Sequence, residues 1–507
     1  MGRADPFTHY STVLRIVIYG LIPAFGVLQF FRLRRALHVF QLEGYKRARF
    51  LEWCKRNKDR ALFMRAATTK KPLVMTGRAW RILVTATLGS VLLVFGAMMS
   101  AHLAGGFPYD LTTWAVATAA VFYFTPRVLV LADVVMSPIQ TLVNRKYLRA
   151  ATAKLAHISP TVIGVTGSFG KTSTKFAIQS LLGPPDEVLA TPGSFNTPLG
   201  VCRTINEQLE SSNRFFIVEM GAYGVGEIAE LCRFVHPSIG VLTAIGPAHL
   251  ERFGSMDAIR KAKYEIVESL PDDGVAVMNV DDPVVRELAD GTERVRVVRY
   301  GLDPDGRPDV TAREVKVSEQ GTELTIAVGD RTLRATTRLL GRHSIGHVLA
   351  GVAVAVEAGR PLDGLPDAIA ALEPVEHRLQ IIKGAGGVTV IDDAYNSNPD
   401  GAAAALEVLE AIPAKRRVVV TPGIIELGPL QAESNERFGA HAARVADALV
   451  VVARVNRDAI VAGARSVEGA EVITVDSLDD ATEELKRLLR PGDVVLFEND
   501  LPDQYEG

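Results

Sequence analysis

The stretch Thr161-Val162-Ile163-Gly164-Val165-Thr166-Gly167-Ser168-Phe169-Gly170-Lys171-Thr172-Ser173 constrains the fold more than any other. Its β-branched apolar run reads as a buried strand, its glycines as a tight loop, and Thr174–Leu182 as the helix that follows. Without Cβ atoms at Gly167 and Gly170, backbone N–H groups can turn toward an anion, and the helix N-terminus adds partial positive charge. Lys171 is placed to reach terminal phosphates, and the Thr172 hydroxyl to ligate magnesium. Val165 occupies the first glycine position of the usual P-loop, so the motif is TGxxGKT. It reads as a nucleotide-phosphate site, with a plain strand–helix turn as the alternative.

A chain of 507 residues has room for roughly three domains of about 150 residues. The formal net charge of −2 gives no global case for nucleic acid. Cys54, Cys202 and Cys232 lie far apart, without metal spacing or a disulfide framework, which suits a reducing compartment.

The apolar excess is concentrated at the front, in stretches at 13–31, 82–103 and 111–135. Each is close to the ~20 residues that cross a bilayer. The third contains Pro126-Arg127, which leaves a buried or interfacial helix open there. The segment 32–81 is strongly basic, which by the positive-inside rule makes it cytoplasmic. The segment after the third stretch is then cytoplasmic too. Leu33, Leu37, Phe40, Phe50 and Trp53 recur at helical spacing, so the segment is either an amphipathic surface on an anionic leaflet or a solvated loop. The expectation is about three transmembrane helices in 1–156, a multi-pass protein of the cytoplasmic membrane with lipid around those helices, and catalytic domains in the cytoplasm.

Residues 137–159 read as a linker with a polar helix. From Thr161 onward strands alternate with helices: apolar runs at 215–218, 241–245 and 275–278 separate helical patterns at 226–234 and 256–270. This is the pattern of a parallel sheet covered by helices. Period-two alternation over 309–340 predicts antiparallel strands with turns at 319–321 and 329–330, and a helix is expected at 343–358. A second series, with strands at 388–391, 417–421, 448–452, 472–475 and 494–497, predicts a smaller α/β domain. The boundaries expected are 157–375 for the central domain and 376–507 for the last. The fold class is therefore α/β: N-terminal transmembrane helices, a central P-loop ATPase with a parallel sheet, and a C-terminal Rossmann-like domain.

Glu219, in Val218-Glu219-Met220-Gly221, closes a buried strand, where sites of open α/β sheets form. It is positioned to hold Mg²⁺; a carboxylate capping the next turn is the alternative. His249, in Ala248-His249-Leu250-Glu251, stands after another strand as a candidate second metal ligand or a structural histidine. Lys263 reads from sequence physics as a solvated helix lysine. Asp392-Asp393-Ala394-Tyr395-Asn396-Ser397-Asn398-Pro399 ends the first strand of the last domain, as a ribose or substrate contact or as a solvated turn.

Together these motifs resemble the Mur ligase family, and within it the MurF-type branch. The matching pieces are TGSFGKTS (166–173), GSFNTPLGV (193–201), VEMGA (218–222), AHLERFGS (248–255), KAKYEI (261–266), LLGRHS (339–344), IDDAYNSNP (391–399) and ELG (426–428). The resemblance implies an ATP-dependent, ADP-forming ligase of peptidoglycan-precursor synthesis. It joins a precursor carboxylate to an amino acid or dipeptide amine through an acyl phosphate, with two Mg²⁺ ions. By residue, it implies that Gly167, Ser168, Phe169, Gly170, Lys171, Thr172 and Ser173 hold the phosphates. Thr172 and Glu219 hold the first metal, and Asn196 lies by the γ-phosphate. His249 and a carbamylated Lys263 serve the second metal. Arg378 and Asp393 approach the nucleotide, and Asn396 and Asn398 lie near the domain junction.

The sequence departs from the family in three places. Membrane-like segments replace the soluble N-terminal domain that binds a UDP-sugar, which points to a lipid-linked or polymeric acceptor as the alternative substrate. Ser344 and His347 stand where amides usually meet adenine. Phe497–Asp503 replaces the KGS element, which leaves the incoming amine open. A membrane-anchored P-loop ATPase without ligase activity is the reading from another class.

Overall fold

In the computed structural model the described residues are 6–58, 72–105, 109–318, 321–395 and 397–500. The chain divides into two compact units, Met1–Lys146 and Tyr147–Gly507.

The first unit is helical: Pro6–Leu42, Arg47–Arg56, Gly77–Gly105, Tyr109–Tyr123 and the start of Thr125–Ile158. Three expectations change here. Residues 111–135 are not one helix, because the helix is interrupted at Phe124. Pro126 sits in the first turn of the next helix, where its missing N–H is no loss. The 15-residue helix before the break is about 22 Å long, short of the ~30 Å hydrocarbon layer. Residues 137–158 are helical, as expected, but they continue the helix Thr125–Ile158 instead of starting a new one, and the division between the two units falls within it. The described part of the basic segment is largely helical rather than a solvated loop. Its apolar side chains Leu33, Leu37, Phe40 and Phe50 are fully buried in one cluster with Ile82, Leu83 and Leu129, because the helix Gly77–Gly105 offers the nearest apolar surface. Asp133, buried in the same unit, accepts from Arg47 at 2.7 Å and Arg78 at 2.9 Å.

Among the described residues two helices are long and apolar enough to cross a membrane, Gly77–Ala104 and Thr125–Ile158. Leu88, Leu92, Phe95 and Leu103 on the first, and Leu131 and Leu142 on the second, are exposed.

The second unit holds two sheets. The first comprises β1 (Thr161–Thr166), β2 (Val188–Ala190), β3 (Phe215–Glu219), β4 (Ile239–Leu242), β5 (Val275–Asn279), β6 (Arg296–Tyr300), β7 (Val310–Ser318), β8 (Gly321–Val328) and β9 (Arg331–Thr337). Their order is β2-β3-β1-β4-β5-β6-β7-β8-β9. Pairing is parallel as far as β7, and β7 to β9 form an antiparallel meander. The parallel strands are apolar throughout because helices cover both faces. One face packs on the helices Lys171–Leu182 and Arg342–Glu357; Met256–Glu268 and its neighbours cover the other. At Gly351 a Cβ would come within 2.7 Å of Leu181, so glycine there lets those two helices approach closely.

The second sheet comprises β10 (Gln380–Lys383), β11 (Thr389–Asp393), β12 (Arg417–Thr421), β13 (Ala448–Val452), β14 (Glu471–Val475) and β15 (Val494–Glu498), in the order β10-β11-β15-β12-β13-β14. All pairs are parallel except the added edge strand β10. That edge strand and the helix Arg457–Arg465 have no counterpart in the sequence reading. Their short, mixed patterns carry little period of their own.

Candidate active site

In the first sheet β1 lies between β3 and β4, and the loops that leave these neighbouring strands converge at their carboxyl ends. This is where open α/β sheets form sites.

The loop after β1 is tightly built. Gly167 has φ +156°, and a Cβ there would fall 2.0 Å from Thr243 Oγ1. Gly170, at φ +77°, precedes the helix Lys171–Leu182. Ser168 N donates to Ala244 O at 2.8 Å, Ser168 Oγ to Gly246 O at 3.0 Å, and Thr243 Oγ1 to Phe169 O at 2.5 Å. The segment after β4 thus fixes the loop's shape. Thr172 is buried and Ser173 half-buried in the first helical turn, whose N–H groups an α-helix leaves without internal partners. The cradle fits a polyphosphate. Lys171 Nζ donates to Gly167 O at 2.8 Å and Ser168 O at 3.1 Å. Burial, with Arg378 nearby and against the pull of Glu219, lowers its pKa to about 8.

Glu219, at the end of β3, is 1% exposed. Asn196 Nδ2 donates to its Oε1 at 3.1 Å, and Lys175 Nζ to its Oε2 at 3.2 Å. Lys175, fully buried, also donates to Gly193 O. The Glu219 N–H donates to Thr191 Oγ1 at 3.1 Å. Lys175 was not among the sequence candidates. Its spacing four residues after Lys171 puts both on one helix face, and that was the available signal.

His249, at φ +60°, bonds through Nδ1 to Glu426 Oε2, and Arg252 bonds to Glu426 Oε1. Tyr223 packs on both partners of Glu426. Burial lowers the His249 pKa despite Glu426. Burial pushes the Glu426 carboxyl up, but His249 and Arg252 outweigh it and the net shift is down. Glu426 entered the sequence reading only as part of ELG. Lys263 is not the solvated lysine that sequence physics suggests, because its helix face packs on the sheet. It is 3% exposed, and burial, reinforced by the charge of Lys171, lowers its pKa to about 7.

The second sheet supplies the far wall. Arg378 stacks on Tyr395 at 4.5 Å, and Tyr395 Oη lies 2.6 Å from Ser194 Oγ. The Arg378 charge bears on Lys171, Lys175, His347 and Asp393 alike. Asp393 accepts from Leu379 N at 3.1 Å. Two sequence candidates have bonds of their own. His347 Nδ1 lies 2.9 Å from Thr174 Oγ1, with its ring against Gly170, and burial lowers its pKa to about 3. Ser344 Oγ lies 3.1 Å from His343 Nε2. Asn398 caps the helix Pro399–Ala411 by accepting from Gly401 N at 3.0 Å. Asn396 lies outside the described residues.

Asp393 and Glu498 face one another across the register of β11 and β15. Burial pushes Asp393 up to about 6 and, with the Asp393 charge, raises Glu498 well above the usual carboxyl range. Both folded pKa values exceed the unfolded ones, so the pair stabilises the fold at low pH and that stability is lost as pH rises through about 6. Glu498→Gln is expected to be more stable than the parent at pH 8, by about 1–2 kcal/mol, with the gap closing at pH 5. Urea midpoints at both pH values measure it; a gap independent of pH would refute the raised carboxyl pKa values.

Residues 165–355 match the Mur ligase middle domain, and 377–498 the Mur ligase glutamate ligase domain. The UDP-N-acetylmuramoyl-tripeptide–D-alanyl-D-alanine ligase of Mycobacterium tuberculosis (strain ATCC 25618 / H37Rv) is 36% identical over 373 residues, 69% of this chain and 72% of that enzyme. The enzyme of that name from Bacillus subtilis (strain 168) is 32% identical, over 57% of this chain and 62% of the relative. The structure of MurF ligase from Thermotoga maritima in complex with ADP superposes with a TM-score of 0.63 at 27% identity, covering 72% of this chain and 82% of that one. MurF from Acinetobacter baumannii gives 0.64 at 25% identity, over 71% and 78%. The chain belongs to the Mur ligase family, the ATP-dependent, ADP-forming ligases that make amide bonds.

Proposed function

We propose that this ligase joins the carboxylate of a peptidoglycan precursor to an incoming amine, as the MurF relatives do with a UDP-linked muramoyl tripeptide and D-alanyl-D-alanine, and that it works at a membrane surface. The observation that carries the ligase reading is the convergence of the phosphate loop, Glu219 and His249 from one sheet with Arg378 and Glu426 from the other.

In this reading the loop 167–173 and Lys171 hold the β- and γ-phosphates of ATP, and Arg378 adds charge from the opposite wall. Asp393 meets the nucleotide, and Ser344 and His347 line the side of the adenine. Magnesium takes hard oxygen donors, one or two carboxylates beside the phosphates. Glu219 and Thr172 fit that requirement; His249 Nε2 and Lys263 would serve a second ion. Lys263, with a pKa of about 7, keeps much of its amine uncharged at neutral pH, the form that takes up CO₂ as a carbamate. When bound, the two ions offset charge on the transferring phosphoryl group. The chain's own work is orientation and exclusion of water: Asn196 stands by the γ-phosphate, and the second sheet covers the acyl phosphate until the amine arrives.

The exposed apolar faces of Gly77–Ala104 and Thr125–Ile158 support a membrane anchor with the ligase domains in the cytoplasm. They favour a second reading of the acceptor, a lipid-linked or polymeric carboxylate. The test uses carbonate-washed membranes from cells expressing the full chain, given ATP, Mg²⁺ and D-alanyl-D-alanine with either UDP-linked or undecaprenyl-linked peptide. Activity that stays with the membranes and favours the lipid-linked acceptor supports the second reading; preference for the UDP-linked one excludes it. ADP release independent of both carboxylate and amine would refute the ligase assignment.

A further inference from the structure

Lys175 is a fully buried cation that the ligase mechanism does not use. A lysine in the interior is costly unless paired, and its partners here are specific. It donates to Glu219 Oε2 at 3.2 Å and to the carbonyl of Gly193. Asn196 holds the other oxygen of Glu219 at 3.1 Å. Both oxygens of the carboxylate proposed to hold magnesium are therefore bonded, one of them to a buried ammonium. Gly193 and Asn196 belong to one loop, so Lys175 also ties that loop to the helix bearing Lys171 and Thr172. The other charges bearing on this pair are Lys171 and Arg378, both cationic. No second anion near Lys175 competes for it among the described interactions.

We propose that Lys175 is a positioning residue that stands in for the metal: its ammonium holds Glu219 Oε2 until a divalent cation takes over that oxygen, and through Gly193 O it keeps the 193–196 loop in place. The inference rests on the assignment of Glu219 to the first metal. Cation binding is then an exchange of one positive partner for another.

The exchange makes an unusual sign prediction. In Lys175→Met the carboxylate loses its internal partner, and the arriving cation no longer has to displace one. Mg²⁺-dependent binding of the non-hydrolysable analogue adenylyl imidodiphosphate, measured by calorimetry at pH 8, should tighten by roughly tenfold. The Mg²⁺-induced rise in melting temperature should exceed that of the parent, although the metal-free variant melts lower. The kcat should fall because the Asn196 loop is no longer held. A lysine that merely braces the fold predicts unchanged or weaker Mg²⁺ affinity, and either result overturns the proposal. If Lys175→Met does not fold, Lys175→Gln keeps a donor for Gly193 O without the charge and should shift affinity in the same direction. Glu219→Gln separates the two claims. If it leaves the Mg²⁺ dependence intact, the metal assignment itself fails. If it abolishes that dependence while Lys175→Met does not tighten binding, only the exchange fails.

Discussion

Lys171→Ala is expected to lower turnover by about 10³-fold or more, equivalent to about 4 kcal/mol of transition-state stabilisation. Lys171 Nζ rests on the carbonyls of Gly167 and Ser168, so it is poised at the mouth of the loop without contributing to the core. The variant should keep the parent melting temperature within a few degrees and lose single-turnover ADP formation. Near-parent turnover would refute the phosphate role. The ammonium also has a pH signature. With a pKa of about 8, the cation that attracts phosphate is present below pH 8 and lost above it. Nucleotide affinity of the free enzyme should therefore weaken as pH rises through about 8. Lys171→Arg should move that limb upward, since guanidinium stays charged.

The second large effect is expected at Glu426. One carboxylate grips His249 and Arg252 at once, joining the second sheet to the first at the proposed metal side. The bond to Nδ1 fixes which face and which nitrogen of His249 is left for a ligand. Carboxylates in this position typically change activity or metal affinity by about 10–100-fold when replaced. Glu426→Gln should lower kcat within that range and relax the docking of the two sheets, read as faster proteolysis of the segment between them. Glu426→Asp, which keeps the charge on a shorter arm, should retain more activity than Glu426→Gln. Equal losses would mean that charge is not what Glu426 supplies.

The strands and helices around the phosphate loop were legible because each carries a strong period and its own punctuation. Val162–Val165 is continuous apolar strand, Gly167 and Gly170 sit at positive φ where a Cβ would collide with Thr243 or His347, and Lys171 opens the helix. The second alternating series was legible for the same reason, and its β12 and β13 have the expected bounds. Glu219 and His249 were findable because a polar residue ending an apolar strand is conspicuous.

What local pattern misses is partner choice between elements distant in sequence. The basic segment's apolar stripe was open to lipid or solvent until the helix Gly77–Gly105 was placed beside it. Lys263 looked solvated because one sequence window does not reveal that its helix face packs against the sheet. The partners of Lys175 and Glu426 were not legible, since the atoms that define their roles lie 44 and 177 residues away.

By itself, the sequence determined the strand–loop–helix phosphate site, the two α/β halves and the family, because glycine geometry, hydrophobic period and strand-end carboxylates act over short stretches. The tertiary structure alone decided which charges meet: Lys175 with Glu219, Glu426 with His249 and Arg252, Asp393 with Glu498. Those pairs depend on strand order and on the docking of two sheets, and a buried charge is stable only where the fold delivers its partner.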